Sequence, residues 1–284
     1  MLIDCHTHAF ADKIAAKAVE QLITYYKMPT EFGGRLADLM TVADQAGLDA
    51  LVLLVAATRP EQVKPANDWA LSMLRMTPDQ LRQDFFPCST RALTKVPQLI
   101  PFGTFHPNDP NWLEEISRLR AAGIKGIKLH PEFQGIDLAD PRLDSFFEEV
   151  APDFILMIHM GDPLVSEANF STPRKLRHIL EQFPKLRAIA AHLGGYCFWE
   201  QSYQELAGRE VYFDTSSALA YIDPGMLRRL VSKHGTERIL FGSDYPLRAP
   251  WQDLELLEQI PWLTAKEKEA ISWRNCARLL DIQL

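Results

Sequence analysis

Near its start the chain reads Asp4-Cys5-His6-Thr7-His8. Alternate residues of a β-strand project to the same side, so Asp4, His6 and His8 share a face, and two imidazoles at i and i+2 make half of a metal site. Such a short motif arises often by chance and carries little weight alone. The weight comes from other polar residues: Lys128 and His130, His159, His192 and Asp244 each end a short apolar run that reads as a strand. One histidine closing an apolar strand such as Phe154-Ile-Leu-Met-Ile158 is most simply a hydrogen-bonded core residue; repetition at several strand ends is not. Imidazole nitrogens plus one carboxylate are the donors of catalytic zinc, and they also suit manganese, iron or nickel. An ion with an open position lowers the pKa of bound water to roughly 7 and polarises a carbonyl oxygen, so this residue set points to attack on a carbonyl or proton delivery to a carbon.

These residues can act together only if their strands end in one place. Apolar runs alternate with helical patterns along the whole chain and lack the apolar–polar alternation of a half-wet sheet, which is the pattern of a parallel sheet. The runs are Leu2 to His6, Ala50 to Ala56, Ile100 to Phe105, Gly126 to His130, Phe154 to His159, Arg187 to His192, Val211 to Thr215 and Ile239 to Ser243. Leu36, Leu39, Met40 and Ala43 share one helical face that stops at Gly47. Asp109-Pro110, Asp140-Pro141, Thr172-Pro173 and Asp223-Pro224 each set a capping side chain before a proline suited to the first helical position. Thr264 and Glu267 form a capping box for a last helix running toward Leu280. Eight strand–helix units in 284 residues average about 35 residues each, and right-handed crossovers close them into one α/β domain over 1–284, a (β/α)8 barrel whose strand ends converge on one face. The stretch from Arg59 to Gln98 exceeds that rhythm. It holds an expected helix over Asn67 to Met76 plus an inserted segment between strands 2 and 3 with Pro78, Pro87 and Pro97. Part of it is a candidate cover for the pocket, with a solvated excursion as the alternative.

The motifs Asp4-Cys-His-Thr-His8, Gly126-Ile-Lys-Leu-His-Pro131, Ile158-His-Met-Gly161, Ala191-His-Leu-Gly-Gly195 and Leu240-Phe-Gly-Ser-Asp-Tyr-Pro246 resemble, in order and over essentially the whole chain, the amidohydrolase superfamily. Within it the chain is most similar to the amidohydrolase-related (amidohydrolase 2) group of TIM-barrel metal-dependent hydrolases, which also contains decarboxylases of the aminocarboxymuconate-semialdehyde type. The resemblance implies that His6, His8, His159 and Asp244 hold one divalent metal. His192 is then a second-metal ligand or a catalytic histidine beside the bound water. Lys128 matches the fourth-strand lysine that is carboxylated and bridges two metals in dihydroorotase-like members; one ion is favoured over two, and an unmodified Lys128 instead neutralises a substrate carboxylate. Asp244 accepts the proton of the water and passes it on. His192 orients that water or stabilises an oxyanion. Asp4, below His6, is a candidate support for the ligands or an ordinary strand-end contact. The expected activity is hydrolysis of a small amide, lactone or ester; the alternative is a lyase, a non-oxidative decarboxylase of an unsaturated or aromatic acid. Because a decarboxylase needs cations near its substrate carboxylate, Arg59, Lys128 and Arg248 bear on that choice. Some relatives in the decarboxylase branch complete their pocket from a second subunit, which makes a homodimer an open expectation.

Arg59 ends the second strand and could clamp a carboxylate. Tyr196 and Trp199 follow His192 and could wall the pocket or pack as aromatics. His178 and His234 on outer helices, and His106 before Pro107, are read as outside the site. The net charge of −7 has no long block of either sign, which excludes a nucleic-acid groove and leaves a small molecule as the partner. The longest strongly apolar run, Ala50 to Ala57, is eight residues, too short to cross a bilayer, and the first residues lack a signal peptide's order; a cytoplasmic protein is expected. Cys5, Cys88, Cys197 and Cys276 have no C-x-x-C spacing and are read as structural thiols. No phosphate loop, nucleophile elbow or dinucleotide fingerprint is present.

Overall fold

In the computed structural model, which describes residues 1–85 and 96–282, the apolar runs form one parallel sheet ordered β1 to β8. The strands are β1 (Ile3–His8), β2 (Ala50–Leu54), β3 (Gln98–Thr104), β4 (Gly126–Leu129), β5 (Ile155–Ile158), β6 (Arg187–Ala190), β7 (Tyr212–Asp214) and β8 (Ile239–Leu240). The sheet closes on itself: Cys5 N donates to the Phe241 carbonyl at 2.9 Å, and Asp244 N donates to the His6 carbonyl at the same distance. Helices lie between successive strands, so the architecture is the (β/α)8 barrel with an insertion after β2.

Alternation along buried strands divides the core in two. Leu51, Leu53, Ile127, Leu129, Leu156 and Ile158 face the helices. Ile3, Cys5, Val52, Leu54, Phe102, Met157 and Ala191 fill the barrel, whose lower end is plugged by Cys276, Leu279 and Leu280 of the C-terminal helix. Lys128 pairs in register with Met157 and is fully buried.

The barrel corrects the shared face expected of Asp4, His6 and His8. Ile3 pairs with Ala50, but a shift between Asp4 and Thr7 places His8 opposite Leu54. That bulge adds one residue to β1 and inverts its parity. His6 and His8 meet each other, whereas the Asp4 carboxylate accepts from the backbone N–H groups of His6 (3.0 Å) and Ser243 (3.1 Å), fastening the seam where β1 meets the segment after β8.

Local signals set most helix ends. Gly47 closes helix Leu36–Ala46 in a left-handed conformation, and the Thr172, Asp223 and Thr264 side chains accept from N–H groups three residues on. Asp109-Pro110 does not start a helix: Asp109 accepts from Asn111 N in a turn, and the helix begins at Trp112, whose ring packs edge-on against Phe105 and Phe146. The helix expected from Asn67 begins earlier, at Val63, after a 3-10 turn over Pro60–Gln62, and a second helix follows at Pro78–Phe85. Asn67 is buried and clasps β3, accepting from Thr104 N at 2.8 Å and donating to the Thr104 carbonyl at 3.2 Å. The expected helix therefore braces β3 through Asn67; of the inserted segment, Pro87 and Cys88 lie outside the described residues.

Gly161 anchors the end of β5 to the segment after β6. Its φ is +84°, and an added Cβ would lie 2.3 Å from the Tyr196 carbonyl oxygen and 2.5 Å from Tyr196 N. Neither backbone atom can yield cheaply, so Gly161→Ala is expected to cost about 2 kcal/mol or more of stability, checked by denaturant unfolding.

Candidate metal centre

Each imidazole at the barrel mouth has one nitrogen committed to a hydrogen bond, which decides what the other can do. His6 Nδ1 donates to Asp214 Oδ2 at 2.9 Å, and His8 Nδ1 donates to the Leu54 carbonyl at 3.2 Å. Both Nε2 atoms are then lone pairs, yet they lie 3.2 Å apart. Asp244 Oδ1 joins them at 3.5 Å from His6 and 3.7 Å from His8. A second facing pair lies alongside. His192 Nδ1 donates to the Ser216 carbonyl at 2.8 Å and His159 Nε2 to the Gly161 carbonyl at 3.2 Å, leaving His192 Nε2 and His159 Nδ1 as lone pairs 3.0 Å apart. Lys128 Nζ, 3.2 Å from His6 Nε2, can donate to that nitrogen; lone pairs held this close otherwise repel, and a divalent cation among them removes the conflict. The donors are nitrogen and carboxylate oxygen, the set that holds zinc and its neighbours in the transition series.

The protonation states agree. Burial, reinforced by the Lys128 charge, pushes His6 well below the usual histidine range and His8 down to about 4. Burial does the same to His159 and His130, with neighbouring imidazoles adding to it. Burial opposes ionisation of Asp244, but His6, His192 and His8, with a 2.7 Å hydrogen bond from Ser217 Oγ to Oδ2, hold its carboxyl below the usual range. At neutral pH His6, His8 and His159 are neutral imidazoles and Asp244 is an ionised carboxylate.

Support comes from behind. The fully buried Asp214, at the end of β7, accepts through Oδ1 from His192 N (3.0 Å), Ser216 N (3.1 Å) and Ser216 Oγ (2.5 Å), while Oδ2 holds His6. A buried carboxylate so fully satisfied fixes the His6 ring and the backbone of His192. His192, Leu193, Ser217 and Asp244 have φ between +47° and +69°, conformations that side chains other than glycine avoid at a cost of about 1 kcal/mol or more each, and they gather at this one site.

Of the residues singled out in the sequence, His6, His8, Asp244, Lys128, His159 and His192 are brought together. Lys128 Nζ lies 3.2 Å from His6 Nε2, and burial lowers its ammonium to about 8 despite Asp244 and Asp214. Tyr196 lines a narrow pocket with Tyr26, Met28, His159, His192, Ser217, Asp244 and Leu247. Arg59 is exposed at the start of the 3-10 turn and makes none of these contacts. Arg248 is engaged by the buried Asp253 at 2.8 Å. Trp199 donates to the His192 carbonyl at 3.0 Å. His130 stacks on His159 with centroids 3.9 Å apart; His106 bonds the Gln134 carbonyl, His234 stacks on Phe213, and His178 is exposed.

Sequence reasoning missed Asp214, Ser216, Ser217 and Tyr26. Asp214 carried the same signal as the chosen residues, a polar side chain ending an apolar strand. Ser216 and Ser217 follow it closely in Asp214-Thr-Ser-Ser217. Tyr26 had no such signal: it ends helix Asp12–Tyr26 after β1, and this segment, not the described part of the insertion, covers the pocket.

The comparisons with known proteins agree with this geometry. A 2-amino-3-carboxymuconate-6-semialdehyde decarboxylase of Caenorhabditis elegans is 30% identical over 129 residues, a match spanning 37% of this chain and 30% of that protein's length. Among solved structures, an amidohydrolase II superimposes with a TM-score of 0.71 at 20% identity, covering 99% of this chain and 100% of that one. A 5-carboxyvanillate decarboxylase of Novosphingobium aromaticivorans, solved with bound manganese, does so with a TM-score of 0.70 at 16% identity, covering 99% and 97%. At these identities the two structures speak to fold. Among the described residues, no helix is long and apolar enough to cross a membrane. Among the described residues His6, His8 and Asp244 form a group that could hold a metal ion. Residues 3–282 match the amidohydrolase family model, and the chain belongs to that family.

Proposed function

We propose that the chain is a metal-dependent carboxy-lyase, a non-oxidative decarboxylase of an unsaturated or aromatic carboxylic acid. The observation that carries this reading is the mixed lining of the pocket: Asp244, His192 and His159 line it together with Tyr26, Tyr196, Met28 and Leu247. Rings and apolar side chains beside polar groups match the chemistry of an unsaturated acid, apolar in its body and charged at its carboxylate. The partial likeness to the worm decarboxylase supports the same choice over hydrolysis.

His6, His8, His159 and Asp244 would hold one divalent ion, zinc by donor type with manganese, iron or nickel compatible. Such an ion supplies a Lewis acid and a bound water of pKa about 7. The chain's own residues do the rest. Lys128 is the one of the three candidate cations that lies at the cluster; at neutral pH it is largely protonated and offers its charge to an acidic substrate. Ser217 fixes Oδ2 of Asp244, so the ionised carboxylate is positioned to take up a proton and pass it to the substrate carbon. His192, its Nδ1 tied to the Ser216 carbonyl, presents Nε2 to the pocket and orients the reacting group. In the reaction the bond to the carboxyl carbon breaks, its electron pair stays on the substrate carbon, carbon dioxide leaves, and a proton takes its place. Free Cys5, Cys197 and Cys276 suit a reducing, cytoplasmic setting.

The deciding experiment is a zinc- or manganese-reconstituted assay over lactones, amides and unsaturated or aromatic acids, recording both carbon dioxide and new acid. Carbon dioxide from the acids is expected; hydrolysis of the neutral substrates alone would refute the reading. Asp244→Asn should lower kcat by about 100-fold or more with the melting temperature preserved, measured with the same assay. Metal retention should depend on pH in a defined direction. Because His8 titrates near 4 rather than in the ordinary histidine range, protons compete for its lone pair only in acid. Elemental analysis after dialysis should find the metal retained from pH 7 to about 5 and lost as pH falls through about 4.

A further inference from the structure

The hydroxyl of Tyr26 lies 3.1 Å from His130 Nε2 and 3.3 Å from His159 Nε2. Both nitrogens are donors. His130 Nδ1 accepts from Phe133 N at 3.4 Å, so the proton of this neutral ring sits on Nε2. His159 Nε2 is 3.2 Å from the Gly161 carbonyl, which can only accept; the other tautomer would set a lone pair against that oxygen. The Tyr26 oxygen therefore receives hydrogen from His130, and its own hydrogen finds no acceptor on either imidazole. The side chain lines the pocket shared by Asp244, His192 and Tyr196.

Tyr26 is also held in place before any ligand arrives. The neighbouring Tyr25 hydroxyl donates to Asp162 Oδ2. Tyr25 packs edge-on against Tyr26 at 4.9 Å and against Phe133 at 4.7 Å, and Phe133 stacks on His130 at 4.1 Å. A donor fixed this way loses little freedom when it binds.

We infer that the Tyr26 hydroxyl is a substrate-binding donor, which donates to an oxygen of the substrate, from a carboxylate or from a hydroxyl or carbonyl group beside it, in the pocket that Asp244 also lines. This deepens the carboxy-lyase reading and rests on it for the class of substrate. It makes the segment after β1 a determinant of specificity: an acid whose oxygen reaches Tyr26 is preferred over a hydrocarbon of the same shape. A phenol hydroxyl is un-ionised at neutral pH, so it can act as a donor there.

The test is calorimetric titration of the zinc-loaded protein, wild type and Tyr26→Phe, with benzoate and salicylate, alongside zinc content and thermal midpoint. The tighter of the two probes is expected to bind about tenfold more weakly to Tyr26→Phe, with zinc content and midpoint unchanged. Equal affinity in the two proteins, no binding of either probe to the wild type, or loss of zinc or fold in the variant would each overturn the inference. Binding needs no turnover. A failed carbon dioxide assay with a weakened Tyr26→Phe titration refutes the lyase reading alone; the reverse pattern refutes the role of Tyr26 alone.

Discussion

Two facing pairs of imidazole lone pairs, His6 with His8 and His159 with His192, are held at the barrel mouth with the Asp244 carboxylate beside the first pair, and groups this close repel each other. Each ring is held by its opposite nitrogen: His6 by Asp214, His8 by the Leu54 carbonyl, His192 by the Ser216 carbonyl, His159 by the Gly161 carbonyl. Three of those acceptors are backbone oxygens and cannot move without the strand ends and turns that carry them. The polar cluster and the apolar sheet are therefore one problem, because the sheet must be rigid enough to hold groups that would otherwise separate.

The barrel meets that demand with departures from regular geometry at its upper rim. The bulge in β1 turns His8 inward without disturbing the pairing of Ile3 below it. β8 ends at Leu240, and the chain then bends so that Asp244 adopts a left-handed backbone and presents Oδ1 to the two histidines. The left-handed residues His192, Leu193 and Ser217 do likewise at the ends of β6 and β7. Strain of this kind persists only where surrounding contacts impose it, and here Asp214 supplies many of them, bonding His192 N, Ser216 N and Ser216 Oγ at once.

The site also shows how burial sorts the charges. Neutral imidazoles are the form a buried ring adopts most cheaply, and they are the form that binds metal. Lys128 is buried in the same place, where its charge further disfavours protonated histidine. Arg248, by contrast, spends its charge on the buried Asp253, and Arg59 stays in solvent. Three cations that looked equivalent in the chain thus end with different roles, decided by which neighbours each meets.

The strands, their parallel order and the gathering of His6, His8, His159, His192, Lys128 and Asp244 at their ends were legible in the chain, because apolar runs of strand length and polar residues at their termini are local patterns. Thr172, Asp223 and Thr264 read correctly for the same reason: a cap involves residues three positions apart. Asp109 misled because the ring of Trp112 seats against Phe105 and Phe146, a contact no local pattern records. The parity of Asp4 depended on a bulge defined only by pairing with β2, and the reach of Tyr26 to His130 and His159 spans more than a hundred residues of chain. Residue type and spacing thus settled which chemistry the chain can support. Which nitrogen of each ring is free, which cation stands beside the metal donors and which side chain closes the pocket were settled by folding, because each depends on a partner that only closure of the barrel brings within hydrogen-bonding distance.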